Sequence, residues 1–433
     1  MHRSLEANLV TWKDAPFRKP LILRGARQVG KTWLVKDFGR RHFKHVAVCN
    51  LDRDVELREA FQNKSPQRII PLLEMIFGYK FLPGETLLFF DEVQDCPEAL
   101  NSLKYFFEER RDLHVVAAGS LLGVLLARHS YPVGTVDLLD LYPLDFAEYL
   151  AAIDPLLHQS FLQLPLTMPT PEFFHRRLLD AYHNYLIIGG MPECVATWER
   201  TRDPAAVYQV QNTLLKFYEG DFGKHLGEIA AAKCLLIFRS LPGQLAKENE
   251  KFIFGAVRKG ARARDLEDAI RWNVSAGLVS QVHNLTKIES PLRAFRNDDA
   301  FKLFLLDVGL LKTMAGVSNK AIVLSGDYQF KGPMAENYLL QQLTGKLEVE
   351  PFYFADQASR EIDFMLQAGT GVIPVEVKGG RNTKAISLKN YLAKRHPPLA
   401  LRLSEHNVSQ TGDLLDLPLY FAPRLPELLK KFS

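Results

Sequence analysis

Residues 21–33 read LILRGARQVGKTW, and this stretch restricts the fold of the chain more than any other. An aliphatic run leads into Gly25, Gly30, Lys31 and Thr32, which complete the spacing G-x-x-x-x-G-K-[ST] just before an amphipathic segment. The glycines let backbone N–H groups curl around a phosphate, the lysine reaches the outer phosphates, and the hydroxyl ligates Mg²⁺. The pattern predicts a loop between a strand and a helix that binds ATP and Mg²⁺. The residues of that loop are Gly25, Ala26, Arg27, Gln28, Val29, Gly30, Lys31 and Thr32.

An acidic pair follows a second apolar run, TLLFFDE, which is predicted to be a buried strand. We expect Asp91 to hold Mg²⁺ through water and Glu92 to orient or activate the attacking water. An acidic pair in this position is usually only the solvated start of a loop. Its combination with the glycine-rich loop upstream favours the functional interpretation, in which this is a Walker B strand.

A third apolar run, HVVAAGS, ends at Gly119 and Ser120. Ligands of open parallel sheets bind at the carboxyl ends of the strands, so Ser120 is predicted to sense the γ-phosphate. Ser120 also suits the N-cap of the helix expected after it, and the two roles are compatible.

Length and composition exclude several classes of protein. At 433 residues the chain exceeds one ordinary hydrophobic core. Its net charge of +4 gives no global argument for nucleic acid or membrane, and no segment reaches the ~18 apolar residues of a membrane span. The four cysteines form no CxxC pair, which argues against a disulfide framework or a zinc site and fits a cytoplasmic protein.

The element pattern predicts an α/β chain with four parts. Apolar runs alternate with amphipathic segments through residues 1–150, which predicts a parallel sheet covered by helices on both faces. Helical patterns dominate residues 151–235, which we interpret as a lid. A helix followed by an alternating run in 236–320 predicts a helical module that ends in a hairpin, and residues 321–433 mix helices and strands.

Several segments together resemble AAA-family ATPases of bacteria and archaea that carry a C-terminal DUF4143 module of restriction-endonuclease-like type. The resemblance lies in KPLILRGARQVGKTW, LLFFDEVQ, VVAAGSLLG and LYPLDFAEYL, and later in FKLFLLDVGLL, GPMAENYLLQQL and REIDFML…VIPVEVKGG. It implies an AAA core on 1–150, a helical lid, a winged-helix-like segment on 236–320 and a nuclease-like domain on 321–433.

One position departs from that family. Relatives often carry a basic residue in the loop before LYPL, where this sequence has Thr135. Hydrolysis is therefore expected to be slow or to depend on another arginine, for which Arg110, Arg111 and Arg128 are candidates. The simpler interpretation is that these three arginines lie at helix ends and are solvated.

The hairpin EIDFMLQAGTGVIPVEVK carries a second group of charged residues. With a turn centred on residues 369 and 370, Asp363 and Glu376 are cross-strand neighbours on one face, together with Lys378. Facing carboxylates repel unless a cation lies between them or one binds a proton. The other face is predicted to be buried and consists of Ile362, Phe364, Leu366, Ile373, Val375 and Val377.

The hairpin matches the D…E-x-K arrangement of restriction-endonuclease-like folds. That resemblance implies that Asp363 and Glu376 bind Mg²⁺, and that Glu336 on the preceding helix completes the site. It also implies that Lys378 orients the nucleophilic water or stabilises the pentavalent charge. The alternative is a hairpin with a charged, wet outer face on which Lys378 neutralises one carboxylate.

We therefore predict an ATPase, associated with DNA, that couples its nucleotide state to the C-terminal domain. Five basic residues near the helical module would contact nucleic-acid phosphates: Arg258, Lys259, Arg262, Arg264 and Arg271. Acidic residues lie between them, so the sequence is equally compatible with a solvated helix that binds no nucleic acid. A homo-oligomer is also expected, and a membrane partner is not. The alternative is a nucleotide-driven switch or interaction protein with a non-catalytic tail; a P-loop kinase fits less well.

Overall fold

The computed structural model describes residues 1–120, 122, 134–247, 251–323, 329–355, 361–379, 386–395 and 397–432. These residues form two compact units. The first unit comprises residues 2–142 with 275–277, and the second comprises residue 1, 143–274 and 278–433.

The first unit contains a five-stranded sheet in the order β2-β3-β4-β1-β5. Its strands are β1 (Leu21–Arg24), β2 (His45–Asn50), β3 (Thr86–Asp91), β4 (His114–Ala118) and β5 (Asp137–Asp140). Every neighbouring pair is parallel, as predicted from the alternating pattern. The described helices of this unit are α1 (Glu6–Asp14), α2 (Lys31–His42), α3 (Val55–Ala60), α4 (Pro66–Phe77) and α5 (Pro97–Glu109).

The two central strands explain why this sheet forms. Every residue of β3 and of β4 is buried, because helices cover both faces and continuous apolar runs suit such strands. Strand β5 was not predicted, since its four residues are only partly buried and carry two aspartates. It pairs with β1 from Leu21↔Asp137 to Arg24↔Asp140.

The second unit begins with a helical region. Its helices are α6 (Phe146–Ile153), α7 (Pro155–Gln163), α8 (Glu172–Ile188), α9 (Pro192–Thr201), α10 (Pro204–His225), α11 (Glu228–Leu245), α12 (Phe254–Val257) and α13 (Ala263–Ser275). Several begin with proline in the first turn, where its missing N–H costs no hydrogen bond. The absence of strands over 151–235 agrees with the helical pattern of the sequence.

The rest of this unit surrounds a mixed eight-stranded sheet in the order β12-β13-β11-β10-β9-β8-β6-β7. Its strands are β6 (Val279–Leu285), β7 (Arg296–Leu305), β8 (Phe352–Ala355), β9 (Glu361–Ala368), β10 (Gly371–Val377), β11 (Ala400–Ser404), β12 (Ser409–Thr411) and β13 (Leu414–Pro418). The described helices are α14 (Val308–Met314), α15 (Asn319–Val323), α16 (Lys331–Leu343), α17 (Ile386–Arg395) and α18 (Leu425–Leu429).

Strands β6 and β7 form the antiparallel hairpin predicted to close the middle segment. The hairpin also joins the sheet of the C-terminal region, because β6 pairs with β8 at Asn284↔Tyr353. The Asn284 side chain reinforces this junction by donating to the Ala355 carbonyl at 3.1 Å and accepting from its N–H at 2.9 Å. A domain boundary near residue 320 therefore cuts through one continuous sheet, and the four-part division stays a prediction.

A buried carboxylate connects the helical region to β7. Asp307 is 0% exposed, and its oxygens accept from the N–H of Gly190 at 2.6 Å, the N–H of Leu310 at 3.0 Å and the Gln341 amide at 3.0 Å. Asp307 thus caps α14 while holding the loop between α8 and α9. The backbones approach closely here, since a Cβ on Gly309 would lie 2.6 Å from the nitrogen of Gly189.

In the described part of the chain, no helix is both long enough and apolar enough to span a bilayer.

Candidate functional site

Three predicted motifs meet at one edge of the first sheet. Strands β1, β3 and β4 are neighbours and run parallel, so their carboxyl ends lie side by side. The glycine-rich loop follows β1, Asp91 ends β3, and Ser120 lies two residues beyond β4. The sheet thus brings together residues that are far apart in the sequence.

The backbone of the loop is shaped as the glycine spacing requires. Gly25 has φ +149°, Gln28 has φ +64° and Gly30 has φ +97°, so three of the eight loop residues take up positive φ. The space beside Gly25 is also closed, because a Cβ there would lie 2.2 Å from the carbonyl oxygen of Leu141. A side chain at this position would distort the loop and turn its N–H groups away from a phosphate.

We expect Gly25→Ala to weaken ATP binding at least about tenfold, because the methyl group must displace either the loop or the Leu141 carbonyl. Titration calorimetry of ATP binding measures the loss. Gly84→Ala is the matched control, since Gly84 also has positive φ but a Cβ there meets nothing within 4 Å. Equal ATP affinities in the two variants would contradict this account of the loop.

Arg3 anchors the loop from the N-terminus. Its side chain is 4% exposed and donates to the Val29 carbonyl at 2.8 Å and to the Tyr142 carbonyl at 2.5 Å. Sequence reasoning missed this residue, because both contacts are to backbone atoms of distant residues and leave no local pattern.

The lysine of the motif turns back onto its own loop. Lys31 is 7% exposed, and its ammonium donates to the carbonyls of Gly25 at 2.9 Å and Ala26 at 2.8 Å. Burial lowers the pKa of Lys31 to about 8, although the nearby carboxylates of Glu92 and Asp91 act in the opposite direction. A phosphate in the loop would favour the charged ammonium.

We predict that ATP binding takes up a proton at pH values above about 8. In the free protein Lys31 loses its proton as the pH rises through its lowered pKa, and a bound triphosphate restores the charged form. Affinity should therefore fall as the pH rises from 8 to 10. Calorimetry in buffers of different ionisation enthalpy measures the uptake, and a net release of protons would contradict the role given to Lys31.

The Mg²⁺ ligands predicted from the sequence are already neighbours. The Thr32 hydroxyl donates to the Asp91 carboxylate, with Oγ1 at 2.9 and 3.1 Å from its two oxygens. Burial raises the pKa of Asp91, while the Thr32 hydrogen bond opposes that rise. A hydroxyl and a carboxylate this close together suit Mg²⁺, which binds few protein oxygens and keeps several waters.

A glutamine donates a hydrogen bond to the candidate catalytic carboxylate, Glu92. Glu92 has φ +51°, and its carboxylate accepts a hydrogen bond from Gln94 Nε2 at 2.7 Å. Gln94 also donates to Asp95 at 3.0 Å, and its Oε1 would lie 2.3 Å from a Cβ on Gly119. Gln94 therefore links Glu92 to the end of β4, where the sequence predicts the phosphate sensor. The letters DEVQ contain this glutamine, but their spacing alone does not assign it a role.

The candidate arginines have local partners. Arg110 pairs with Asp112 through two hydrogen bonds of 2.9 and 3.0 Å, and Arg111 lies 4.2 Å from the centre of the Phe107 ring. These contacts agree with the interpretation as solvated helix ends. Arg128, like the helix that Ser120 would cap, lies outside the described residues.

The second charged group gathers around the β9–β10 hairpin. The register pairs Phe364 with Val375, so Asp363 lies opposite Glu376 as predicted. Asp363 accepts from the Val377 N–H at 2.6 Å, and Lys378 lies 2.6 Å from Glu376. The six residues predicted for the buried face are all buried: Ile362, Phe364, Leu366, Ile373, Val375 and Val377.

Two further residues, Lys302 of β7 and Glu361 of β9, extend this group beyond the predicted set. The Lys302 ammonium forms an ion pair with Glu361 and lies 3.6 Å from Glu336 of α16. These side chains line a cleft of about 430 Å³ with Asp363 and Lys378. We name Lys302, Glu336, Glu361, Asp363, Glu376 and Lys378 the charged cluster.

Burial and the repulsion between carboxylates raise the pKa values of the acidic residues in the charged cluster. Burial raises the pKa of Glu336 to about 7, and burial together with the charge of Asp363 does the same for Glu376. Burial also raises the pKa of Asp363. For Lys302 the carboxylates outweigh burial, and its pKa is raised. Near pH 7, Glu336 and Glu376 are therefore only partly ionised, and the four carboxylates outnumber the two lysines in charge fully only at higher pH.

The charged cluster, in the side-chain positions of this structure, fits a divalent cation only in part. Glu376 is 5% exposed, and its Oε2 is buried with no hydrogen-bond partner among the described residues, which suits a missing cation. However, no three His, Cys, Asp or Glu side chains within the described ranges are grouped closely enough to hold a metal ion. Of the predicted metal ligands, Glu336 and Asp363 line the cleft, and Glu376 lies beside it, paired with Lys378. The three do not form a coordination shell.

Family comparisons divide the chain into three matched regions. Residues 17–150 match the AAA domain family, residues 179–321 match a domain of unknown function, DUF8612, and residues 331–420 match another, DUF4143. This chain is an AAA-family ATPase with a C-terminal DUF4143 domain. The AAA domain contains the nucleotide edge described above, and the DUF4143 domain contains the charged cluster except Lys302.

Two solved structures are distantly similar to this AAA ATPase. A Walker-type ATPase of Pyrococcus abyssi is 15% identical with a TM-score of 0.44, over 72% of this chain and 95% of that one. The ORC1 protein of Aeropyrum pernix, solved in complex with DNA, is 13% identical with a TM-score of 0.31, over 74% and 94%. No curated protein matches the sequence.

The five basic residues of the middle region are all exposed: Arg258, Lys259, Arg262, Arg264 and Arg271. Helix α13 buries its other face, including Leu266 and Ile270, and Asp265 accepts from the Arg262 N–H at 2.9 Å to cap it. The basic side chains are thus accessible to a polyanion, although their role stays a prediction.

Proposed function

We propose that the AAA domain hydrolyses ATP and that its nucleotide state controls the activity of the rest of the chain. The observation that supports this most directly is the convergence of Lys31, Thr32 and Asp91 at one sheet edge, with the hydroxyl and carboxylate in contact. In this scheme the amides of residues 25–32 hold the phosphates and Lys31 leaves its loop carbonyls to bind them. Glu92 orients the attacking water, and Ser120 contacts the γ-phosphate.

Mg²⁺ held by Thr32 and Asp91 would neutralise charge that develops on the phosphates. Release of ADP and phosphate without any added acceptor tests hydrolysis directly. Strict dependence on an acceptor molecule would favour a kinase instead.

We further propose that the protein associates with DNA through the exposed basic residues of α13 and the segment before it. Binding should be weakly sequence-dependent and should weaken steeply with salt, because it rests on phosphate contacts. Charge reversal at Arg262 and Arg264 should reduce DNA binding, measured by fluorescence anisotropy. Unchanged DNA binding would contradict the role proposed for these basic residues. We place the protein in the cytoplasm, which its free buried cysteines, Cys49, Cys96, Cys194 and Cys234, support.

For the DUF4143 domain we propose a metal-dependent nuclease site. Asp363, Glu376 and Glu336 would hold a divalent cation, and Lys378 would orient the nucleophilic water. The unpartnered Oε2 of buried Glu376 supports this assignment. Lys302 and Lys378 favour the alternative, a tail that binds a partner without cleaving it, because they already neutralise part of the carboxylate charge.

Cleavage assays with Asp363→Ala and Lys378→Ala separate these two proposals. We expect DNA or RNA cleavage by the unaltered protein in Mg²⁺ or Mn²⁺, and its loss in both variants. Cleavage that survives both changes is contamination. No cleavage by the unaltered protein with either metal would favour the switch.

A further inference from the structure

Lys302 lies inside the charged cluster rather than at its rim. Its side chain is 12% exposed, it forms an ion pair with Glu361, and its Nζ lies 3.6 Å from Glu336. On another side the ammonium lies 5.3 Å from the centre of the Tyr353 ring, close enough for a cation–π contact. A buried lysine with these neighbours acts as a counter-ion.

The cluster is short of positive charge even with this lysine. Four carboxylates, Glu336, Glu361, Asp363 and Glu376, face the two ammonium groups of Lys302 and Lys378. This leaves an excess of two carboxylates, which is a full excess of two negative charges only above the raised pKa values of Glu336 and Glu376. One divalent cation would balance that excess. The Lys378 ion pair uses Oε1 of Glu376, and the buried Oε2 has no hydrogen-bond partner among the described residues.

We propose that Lys302 is a built-in counter-ion that holds the cluster in the metal-free protein and that must leave Glu336 before the carboxylates can hold a divalent cation. This inference rests on the proposed metal site and adds a residue that controls it. Lys302 is neither part of the D…E-x-K pattern nor inside the region matched to DUF4143. It enters the cleft from β7, a strand of the region matched to DUF8612.

The contacts explain why displacement is required. An ammonium bound to Glu336 keeps that carboxylate from turning toward Asp363, in agreement with the lack of a three-ligand group among the described side chains. A dication brought near Lys302 would also meet like-charge repulsion, which is strong in a partly desolvated cleft. The flexible lysine stem lets the ammonium leave Glu336 while it stays beside the Tyr353 ring.

The test is the affinity of the full-length protein for Mn²⁺, measured by titration calorimetry without nucleotide. Lys302→Met keeps the apolar stem and removes the charge, so we expect Mn²⁺ to bind at least about tenfold more tightly than to the unaltered protein. Lys302→Arg retains the charge and should not bind more tightly. Lys251→Met is the matched control, because Lys251 lines the same cleft and is exposed.

Thermal unfolding is a second measurement, and it can be used even if the variant is less stable than the unaltered protein. Without metal, Lys302→Met should unfold at a lower temperature, because the uncompensated charge rises, and Mn²⁺ should raise that temperature more than it does for the unaltered protein. Equal or weaker Mn²⁺ affinity in Lys302→Met, with clear binding to the unaltered protein, overturns the role of Lys302 alone. Absence of Mn²⁺ binding in both proteins, or binding that survives Asp363→Asn, overturns the proposed metal site itself.

Discussion

Glu92→Gln is expected to lower the rate of ATP hydrolysis at least about 100-fold while leaving ATP affinity within about threefold of the unaltered value. The substitution keeps the shape of the side chain but removes the carboxylate that orients and activates water. Glu92 lies at the carboxyl end of β3 directly after Asp91, and in the proposed mechanism it acts on the attacking water and does not hold the phosphates. Phosphate release at saturating ATP and calorimetric titration of ATP measure the two quantities.

Glu98→Gln is the matched control, because Glu98 lies in the first turn of α5, outside the predicted ATP site, and makes a weak contact with the Cys96 thiol at 3.9 Å. It should hydrolyse ATP at the unaltered rate. A Glu92→Gln variant that hydrolyses ATP normally would remove Glu92 from the mechanism. Loss of ATP binding in this variant would instead show that Glu92 supports the loop.

Asp307→Ala is expected to reduce the free energy of unfolding by about 3–5 kcal/mol, since it leaves several buried donors without an acceptor. Those donors are the N–H groups of Gly190 and Leu310 and the Gln341 amide. The buried interior offers no water to replace the lost hydrogen bonds, because Asp307 is 0% exposed. Urea unfolding followed by circular dichroism measures the change in the transition of the second unit.

Asp307→Asn provides the comparison. It keeps an acceptor oxygen for part of the network and should lose less stability than Asp307→Ala. ATP binding by the AAA domain should survive both changes. Unfolding midpoints of both variants within error of the unaltered protein would contradict the assigned role of this carboxylate.

The sequence was sufficient to predict those features that local patterns encode. The glycine-rich loop after β1, the buried strand ending at Asp91 and the parallel sheet follow from short motifs and from continuous apolar runs. The register that places Asp363 opposite Glu376 follows from the turn at residues 369 and 370 and the two-residue period of strands. In each case the relevant residues are close in the sequence.

The features that escaped prediction depend on long-range contacts. Arg3 donates to Tyr142, which lies 139 residues later in the sequence. Lys302 pairs with Glu361 because β7 and β9 belong to one sheet. Strand β5 is short and carries aspartates, so it lacks an apolar run. The sheet edge formed by β11, β12 and β13 was not predicted either, because no motif or resemblance marked those strands.

Titration of the purified protein with ATP in Mg²⁺, beside a Lys31→Ala variant, tests the central claim most directly. The account predicts a clear heat of binding with one site per chain, and at least about a 100-fold loss of affinity in Lys31→Ala. Lys44→Ala is the control, since Lys44 is exposed just before β2 and pairs with Glu85, and it should bind ATP normally. No heat of binding in the unaltered protein, or equal heats in the protein and its Lys31→Ala variant, would contradict nucleotide capture by residues 25–32.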